Sequence, residues 1–315
     1  MSPEKDDMLN KRKNISVVVP VYNDEPGLRT TVECLVSQNY PRTDYEVLIV
    51  DNGSEDGTYA LALQFQSEHP GLVFTLREDR IRGSYAARNL GIGEASGQIL
   101  CFLDADVVID HDYLSRIQDF FDNNDVEYAG VNVELLTKGH GIVPVYERIQ
   151  GFPVALYLQE LHFVPTCCLT VRQSLVDRVG LFDARLESGG DLEFGQRVYA
   201  RGGQQAYHGE LKVYHPARET WGQLFNKSRR VSRGIAQLFY YLPDQYRGHF
   251  WSALLFSWWP RNPFKVRGSA RHKQIRINFL ETIILSTVRV PLGVCGLFAL
   301  LGELWQLRGS RIELS

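Results

Sequence analysis

Two aspartates, Asp104 and Asp106, flank Ala105 and follow the apolar run Ile99 to Leu103, ILCFL. Residues two apart in an extended chain project to one side, so the two carboxylates are expected to stand together at the end of a buried strand. Paired anions repel unless a cation lies between them, and hard carboxylate oxygens select Mg²⁺ or Mn²⁺ over zinc. A D-x-D string by itself more often marks a solvated turn or a helix cap; the buried strand ahead of this one makes it an expected ion site. Two other apolar runs also end in polar groups: Ile15 to Val21 leads to Asn23-Asp24, and Val47 to Val50 leads to Asp51-Asn52. Open α/β sheets bind ligands beyond the carboxyl ends of their strands, so these three places define one edge of chemistry.

The elements that must hold this edge are legible from periodicity. ISVVVPV is β-branched and apolar throughout, as a strand buried on both faces requires. Gly27 to Gln38 carries Leu28, Val32, Leu35 and Val36 at helical spacing and stops at Asn39 and Pro41. Helix, strand and helix are expected over Thr58 to Ser67, Leu72 to Leu76 and Ser84 to Ala95. This alternation is the signature of right-handed βαβ units on a parallel sheet. Asp112 to Phe121 reads as helix and Tyr128 to Leu135 as strand. From Thr137 to Pro165 the pattern is interrupted by Gly139, Gly141, Pro144, Gly151 and Pro153, which predicts an irregular, substrate-specific insertion. Gly189 to Arg201 then reads as helix, Gln205 to Tyr214 as strand and Trp221 to Leu242 as a basic amphipathic helix.

Length and composition set the outer limits. The 315 residues, 44% hydrophobic and 23% charged with 27 Gly and 13 Pro, fit one large α/β domain or two smaller ones. They exclude disordered, collagenous and disulfide-scaffold classes. Cys34, Cys101, Cys167, Cys168 and Cys295 form no C-x-x-C, which argues for buried thiols in a reducing compartment. The net charge of −3 conceals a basic tract: from Thr220 to Arg276 the balance is +10, with Asp244 the lone acid. Such a tract suits ligand phosphates or an anionic membrane surface; cations alone do not specify nucleic acid, and none is expected as a partner.

The first residues, MSPEKDDMLNKRKN, lack the apolar core of a secretion signal, so a cytoplasmic protein is expected. The longest uncharged apolar run, Val290 to Gly302, lies between Arg289 and Glu303 and is shorter than the ~20 residues of a bilayer-crossing helix. A surface-lying segment, a helix packed on the body and a tail that joins partners all remain open for it. Trp258, Trp259, Phe264 and the neighbouring cations have the composition of an interfacial anchor, with core packing the alternative for the two tryptophans.

Several activities are set aside by spacing. A hydride-transfer enzyme needs G-x-G-x-x-G directly after its first strand, where this chain has YNDEPG, and Gly91, Gly93 and Gly97 follow a helix instead. No G-x-x-x-x-G-K-[ST] phosphate loop occurs. A nucleotidyltransferase would share the sheet and the carboxylate site but would want a glycine-rich cationic loop where YNDEPG stands. A catalytically silent nucleotide-sugar-binding scaffold would keep the sheet alone.

Taken in order, ISVVVPVYND, VLIVDNGSEDGT, AARNLGI, FLDAD and SGGDLEFGQR resemble family 2 of the glycosyltransferases, over roughly residues 14 to 235. The resemblance implies an A-type α/β fold, a mostly parallel central sheet sandwiched by helices, here with a basic, aromatic and partly apolar C-terminal helical extension. It implies a catalytic domain over residues 14–245, nucleotide-binding to 110 and acceptor-binding beyond, between an N-terminal tail (1–13) and an extension (246–315). It implies inverting transfer from a UDP- or GDP-sugar to a glycan or lipid-linked acceptor in cell-envelope or polysaccharide synthesis, at the inner membrane face. Pro20, Tyr22 and Asp51 would then line the base pocket, Arg88 and Asn89 would lie near ribose and diphosphate, Asp104 and Asp106 would hold Mn²⁺ or Mg²⁺, and Asp191 would be the base.

The chemistry agrees with those roles, since an acceptor hydroxyl must lose a proton while a nucleoside diphosphate leaves. Asp191 follows Gly189-Gly190 at an expected helix start, where a substrate can approach closely and a carboxylate is favoured. The family usually has an acidic pair where Gly190-Asp191 stands, so Glu187 is kept as an alternative base or a helix cap, and Glu193 lies two residues beyond. His215, in VYHPAR, is either a metal or diphosphate contact or a loop histidine bonded to backbone. Arg88 is either an anion-facing, half-buried residue or a surface arginine, and Asp51 either meets the base or caps the Asn52-Gly53 turn. Lys227, Arg230 and Arg233 present either a solvated face or a phosphate-binding one.

Overall fold

The computed structural model describes residues 13–139, 141–246 and 260–312. Trp258 and Trp259, Arg247 of the basic tract and nearly all of the 1–13 tail lie outside them. The chain forms two compact units. The first runs to Glu134 and adds Pro153–Ala184 and Asp191–His215; the second comprises Leu135–Phe152, Arg185–Gly190 and the described residues from Pro216 onward.

The first unit begins with β1 (Ile15–Val21), α1 (Glu25–Val36), β2 (Tyr45–Asp51), α2 (Thr58–Glu68), β3 (Val73–Arg77), α3 (Ser84–Glu94) and β4 (Ile99–Phe102). β1 and β2 are buried along their whole length, which is why their runs are apolar without alternation. Pro26 in the first turn of α1 and the Asp24 cap, whose carboxylate accepts from the Gly27 amide at 3.0 Å, start that helix. Gly91 lets α3 lie close on the sheet, because a Cβ there would come within 2.5 Å of Val18 Cγ1.

There follow β5 (Val108–Ile109), α4 (Tyr113–Asn123), β6 (Tyr128–Leu136), α5 (Ile142–Gln150), α6 (Val154–Leu161), β7 (Leu169–Arg172), α7 (Gln173–Val179), α8 (Gly190–Ala200) and β8 (Gln205–Pro216). The sheet order is β3-β2-β1-β4-β7-β6-β8-β5. β3, β2, β1 and β4 are parallel, while β7 runs antiparallel to β4 and β6, and β5 antiparallel to β8. The expected α/β architecture with a mostly parallel sheet is therefore the observed one. Its core includes Val17, Val18, Ile49, Leu100, Phe102 and Phe121, all 0% exposed.

The expectation of an irregular Thr137–Pro165 stretch is corrected: it holds α5 and α6. The glycines and prolines punctuate helices rather than abolish them. Gly141 precedes α5, Pro144 sits in its first turn where an amide would have no helical partner, Gly151 ends it at φ 60°, and Pro153 precedes α6. Val143, Tyr146 and Ile149 of α5 enter the core of the second unit with Leu224, Val266 and Leu285.

The second unit is completed by α9 (Trp221–Tyr241), α10 (Pro263–His272), α11 (Phe279–Thr287) and α12 (Arg289–Ile312). Two expectations change here. Lys227 and Arg233 of α9 are not a free phosphate-binding face: Lys227 Nζ lies 3.3 Å from the buried Glu147 carboxylate, and Arg233 makes a fork with Glu187 at 2.5 and 2.6 Å. Burial would raise the Glu147 pKa, but Lys227 and Arg218 together hold it below the usual carboxylate range. Nor is the terminal apolar segment short. Taken across α11 and α12, Phe279–Gly309 is long and apolar enough to cross a membrane by length and composition.

Candidate active site

At the carboxyl end of β4 the chain leaves its strand, and Ala105-Asp106 form a turn rather than the extended pair expected from spacing. The buried Thr31 hydroxyl of α1 holds that turn, donating to the Val107 carbonyl at 2.7 Å and reaching the Asp104 carbonyl at 3.4 Å. After it, β5 pairs with β8 so that Val108 faces Tyr214. That register places the next residue of β8, His215, beside the two acids. His215 Nε2 lies 3.8 Å from Asp104 Oδ2 and 3.7 Å from Asp106 Oδ1. The candidate ligand atoms of the three residues all fall within 4.8 Å of one another.

The electrostatics point to a cation. Burial and the carboxylates of Asp104 and Asp24 push the Asp106 pKa up, against the lowering effect of His215. For His215, burial works against charge, yet Asp104 and Asp106 hold its pKa up at about 9. Burial leads the shift of Asp106, with neighbouring carboxylates adding to it, while the rise at His215 comes from neighbouring negative charge. Two carboxylates and one imidazole can hold a divalent cation, and the carboxylate oxygens suit Mn²⁺ or Mg²⁺. The loop alternative for His215 is replaced by a strand position.

Arg88 of α3 is 2% exposed, and its Nη2 donates to Asp104 Oδ1 at 2.6 Å. The surface alternative for this arginine is thereby removed. Its Nε is buried without a hydrogen-bond partner. Three residues earlier on the same helix face, the Tyr85 hydroxyl donates to Asp191 Oδ1 at 3.2 Å and accepts from the Asp191 amide at 3.3 Å. Asp191, in the first turn of α8, also accepts from the Leu192 amide at 3.0 Å. Burial raises its pKa above the ordinary carboxylate value, partly offset by the Leu192 amide, the Arg88 charge and the Tyr85 hydroxyl. Asp191 is thus a half-buried carboxylate held in place by one hydroxyl and one amide.

The competing acids are engaged elsewhere. Glu187 is bridged to Arg233, and Glu193, 6% exposed, is forked to Arg197 at 2.7 and 2.8 Å. Pro20 is buried at the end of β1 and Tyr22 is 49% exposed just beyond it. Asp51 is 0% exposed and caps its turn, accepting from the Gly53 amide at 3.1 Å and from the Ser54 amide. Each carboxylate oxygen has two acceptor positions, so capping leaves lone pairs over. Asn89 exchanges two hydrogen bonds with the Phe182 backbone, at 2.9 and 3.1 Å.

Tyr85 and Thr31, and the role of Asn52, were missed from sequence. Tyr85 had a signal, its i,i+3 spacing to Arg88. Asn52 holds the loop before α3, donating to the Glu78 and Ile81 carbonyls and accepting from the Gly83 amide. That role, like the clamp made by Thr31, depends on distant backbone and leaves no local pattern.

Comparison with known proteins gives the family and the fold. A sequence model described as Glycosyl transferase family 2 matches residues 16–180. The chain is 36% identical over 225 residues to glycosyltransferase AglE of Haloferax volcanii, spanning 71% of this chain and 73% of that protein. A mannosyltransferase of Pyrobaculum calidifontis, solved with GDP-Man and Mn²⁺, shares the fold with a TM-score of 0.65 at 18% identity, over 96% of this chain and 93% of its own. TarS of S. aureus, residues 1–349 with UDP-GlcNAc, does so with a TM-score of 0.55 at 17% identity, over 95% and 92%.

Proposed function

Because this chain belongs to glycosyltransferase family 2 and is a glycosyltransferase, we propose that it transfers a sugar, with inversion, from a UDP- or GDP-sugar to a hydroxyl of a glycan or lipid-linked acceptor. The reading is carried by one observation: Asp104, Asp106 and His215 converge at one strand end, where Arg88 of α3 donates to Asp104 and Tyr85 of the same helix donates to Asp191. The family match removes the nucleotidyltransferase alternative.

In this reading Asp104, Asp106 and His215 would hold Mn²⁺ or Mg²⁺, and the ion would supply positive charge to the diphosphate of the leaving nucleotide. Arg88 fixes the Asp104 carboxylate from inside the fold and adds a buried positive charge near the diphosphate. Tyr85 and the Leu192 amide orient Asp191, which takes the proton of the acceptor hydroxyl as that oxygen attacks the anomeric carbon from the face opposite the leaving group. One displacement inverts the configuration. Tyr22 is exposed enough to stack on the nucleotide base, with Pro20 and Asp51 behind it and Asn89 shaping the wall through the Phe182 backbone. The five thiols are free, which supports action in a reducing cytoplasm. The basic tract supports work at the inner membrane face, in cell-envelope or polysaccharide synthesis.

The test is transfer and hydrolysis from a panel of UDP- and GDP-sugars with Mn²⁺, with product anomers assigned by NMR. Asp191→Asn should lower kcat by about 10²–10⁴-fold, whereas Glu187→Gln should leave most activity. Full activity in Asp191→Asn, or retention of configuration, would overturn the mechanism.

A further inference from the structure

The last helix of the second unit has two unlike faces. On one, Gly296 allows contact with α9, where a Cβ would crowd the Ser232 and Ser228 hydroxyls; Ser228 Oγ donates to the Leu292 carbonyl at 2.7 Å, and Gln237 donates to Glu303 at 2.8 Å. Leu300, 4% exposed, belongs to the same face. On the opposite face Val294, Phe298, Leu301 and Trp305 form one stripe and are 42%, 71%, 51% and 79% exposed. Phe279 and Leu280 of α11 are 70% and 65% exposed. Large apolar side chains at such exposure and regular spacing mark a docking surface.

Charge selects what docks. Between Asp244 and Glu281 the sequence has cations and no acid, and Lys265, Arg267, Arg271 and Arg276 are exposed. Arg261, Lys265 and Arg289 also line a cavity at the start of α10, together with Asn262 and Ser269. Apolar stripe and cationic neighbourhood together match the interface of an anionic bilayer, where acyl chains lie beneath phosphate headgroups.

We propose that α12 lies flat in the headgroup layer of an anionic lipid bilayer, inserting Val294, Phe298, Leu301 and Trp305, and does not cross it. At 24 residues it is long enough to cross. Its packed face, however, is bonded to α9, which carries Lys227, Arg229, Arg230 and Arg233. Crossing would either draw those cations into hydrocarbon or break the helix pair, whereas lying flat keeps both the pair and the headgroup contacts. This inference rests on the proposed work at the inner membrane face and names the element that makes the contact; its failure is separable from failure of the catalytic reading, since binding to lipid requires neither donor nor metal.

The test is co-sedimentation of the full chain with phosphatidylcholine vesicles, with and without phosphatidylglycerol. Binding is expected only with phosphatidylglycerol, with tryptophan emission quenched by brominated lipid. The double variant Phe298→Ser, Trp305→Ser should bind at least about tenfold more weakly. Both side chains are exposed, so the variant should keep its thermal unfolding temperature. Three results would overturn the inference: undiminished binding by the double variant, a dimer in sedimentation velocity that the double variant abolishes, or retention in cell membranes after alkaline carbonate, which marks a crossing helix.

Discussion

Asp191 carries the clearest consequence of its surroundings. In the proposed mechanism Asp191 acts deprotonated, so with its pKa raised by burial the activity should be lost on acidification at a pH above the ordinary carboxylate range. The acid limb of kcat/KM against pH measures this. The same shift acts oppositely on stability. A carboxyl whose folded pKa exceeds its unfolded one destabilises the fold progressively as pH rises through that window. Asp191→Asn should therefore unfold at a higher temperature than the parent at neutral pH and match it near pH 3, where both are uncharged. Tyr85 is a positioning residue by this geometry. Tyr85→Phe removes a bond that favours the charged carboxylate, so the acid limb should move to higher pH and kcat should fall while KM for the donor holds. An unshifted limb would reduce Tyr85 to packing on Phe182.

At the scale of elements, the metal site is a product of α1 as much as of β4. Thr31→Val keeps the shape of the side chain but leaves the Val107 carbonyl without its buried donor, at a cost of ~1–3 kcal/mol. Unfolding in urea should show that loss, and calorimetry should show weaker Mn²⁺ binding because the Asp104–Asp106 turn is less restrained. The pattern of Leu28, Val32 and Leu35 already identified α1 as a helix on the sheet, although its ends, read as Gly27 and Gln38, lie at Glu25 and Val36, where the Asp24 cap and Pro26 begin it. The clamp itself was not legible, since it joins residues 76 apart. The same holds for α5. Its Gly and Pro residues read as breaks along the chain and act as helix ends once Tyr146 and Ile149 have a core to enter.

For the whole molecule, the strand-end cluster predicts that metal stabilises the fold as well as serving the reaction. Manganese at about 100 times its dissociation constant should add ~2.7 kcal/mol, read as a raised unfolding temperature. His215→Ala should remove most of that gain, and absence of any shift with Mn²⁺ or Mg²⁺ would reject the site. The sequence by itself determined the buried strands, the helices between them and the edge to which Asp51, Asp104 and Asp106 are delivered. Those depend on hydrophobic period, turn chemistry and strand direction, all of which are written within a few residues. Only the tertiary structure decided that His215 joins the two acids, that Arg233 occupies Glu187 while Tyr85 serves Asp191, and that one face of α12 is packed while the other is bare. Each of these is a pairing of distant segments, and which groups meet is settled by strand register and helix packing that no local spacing encodes.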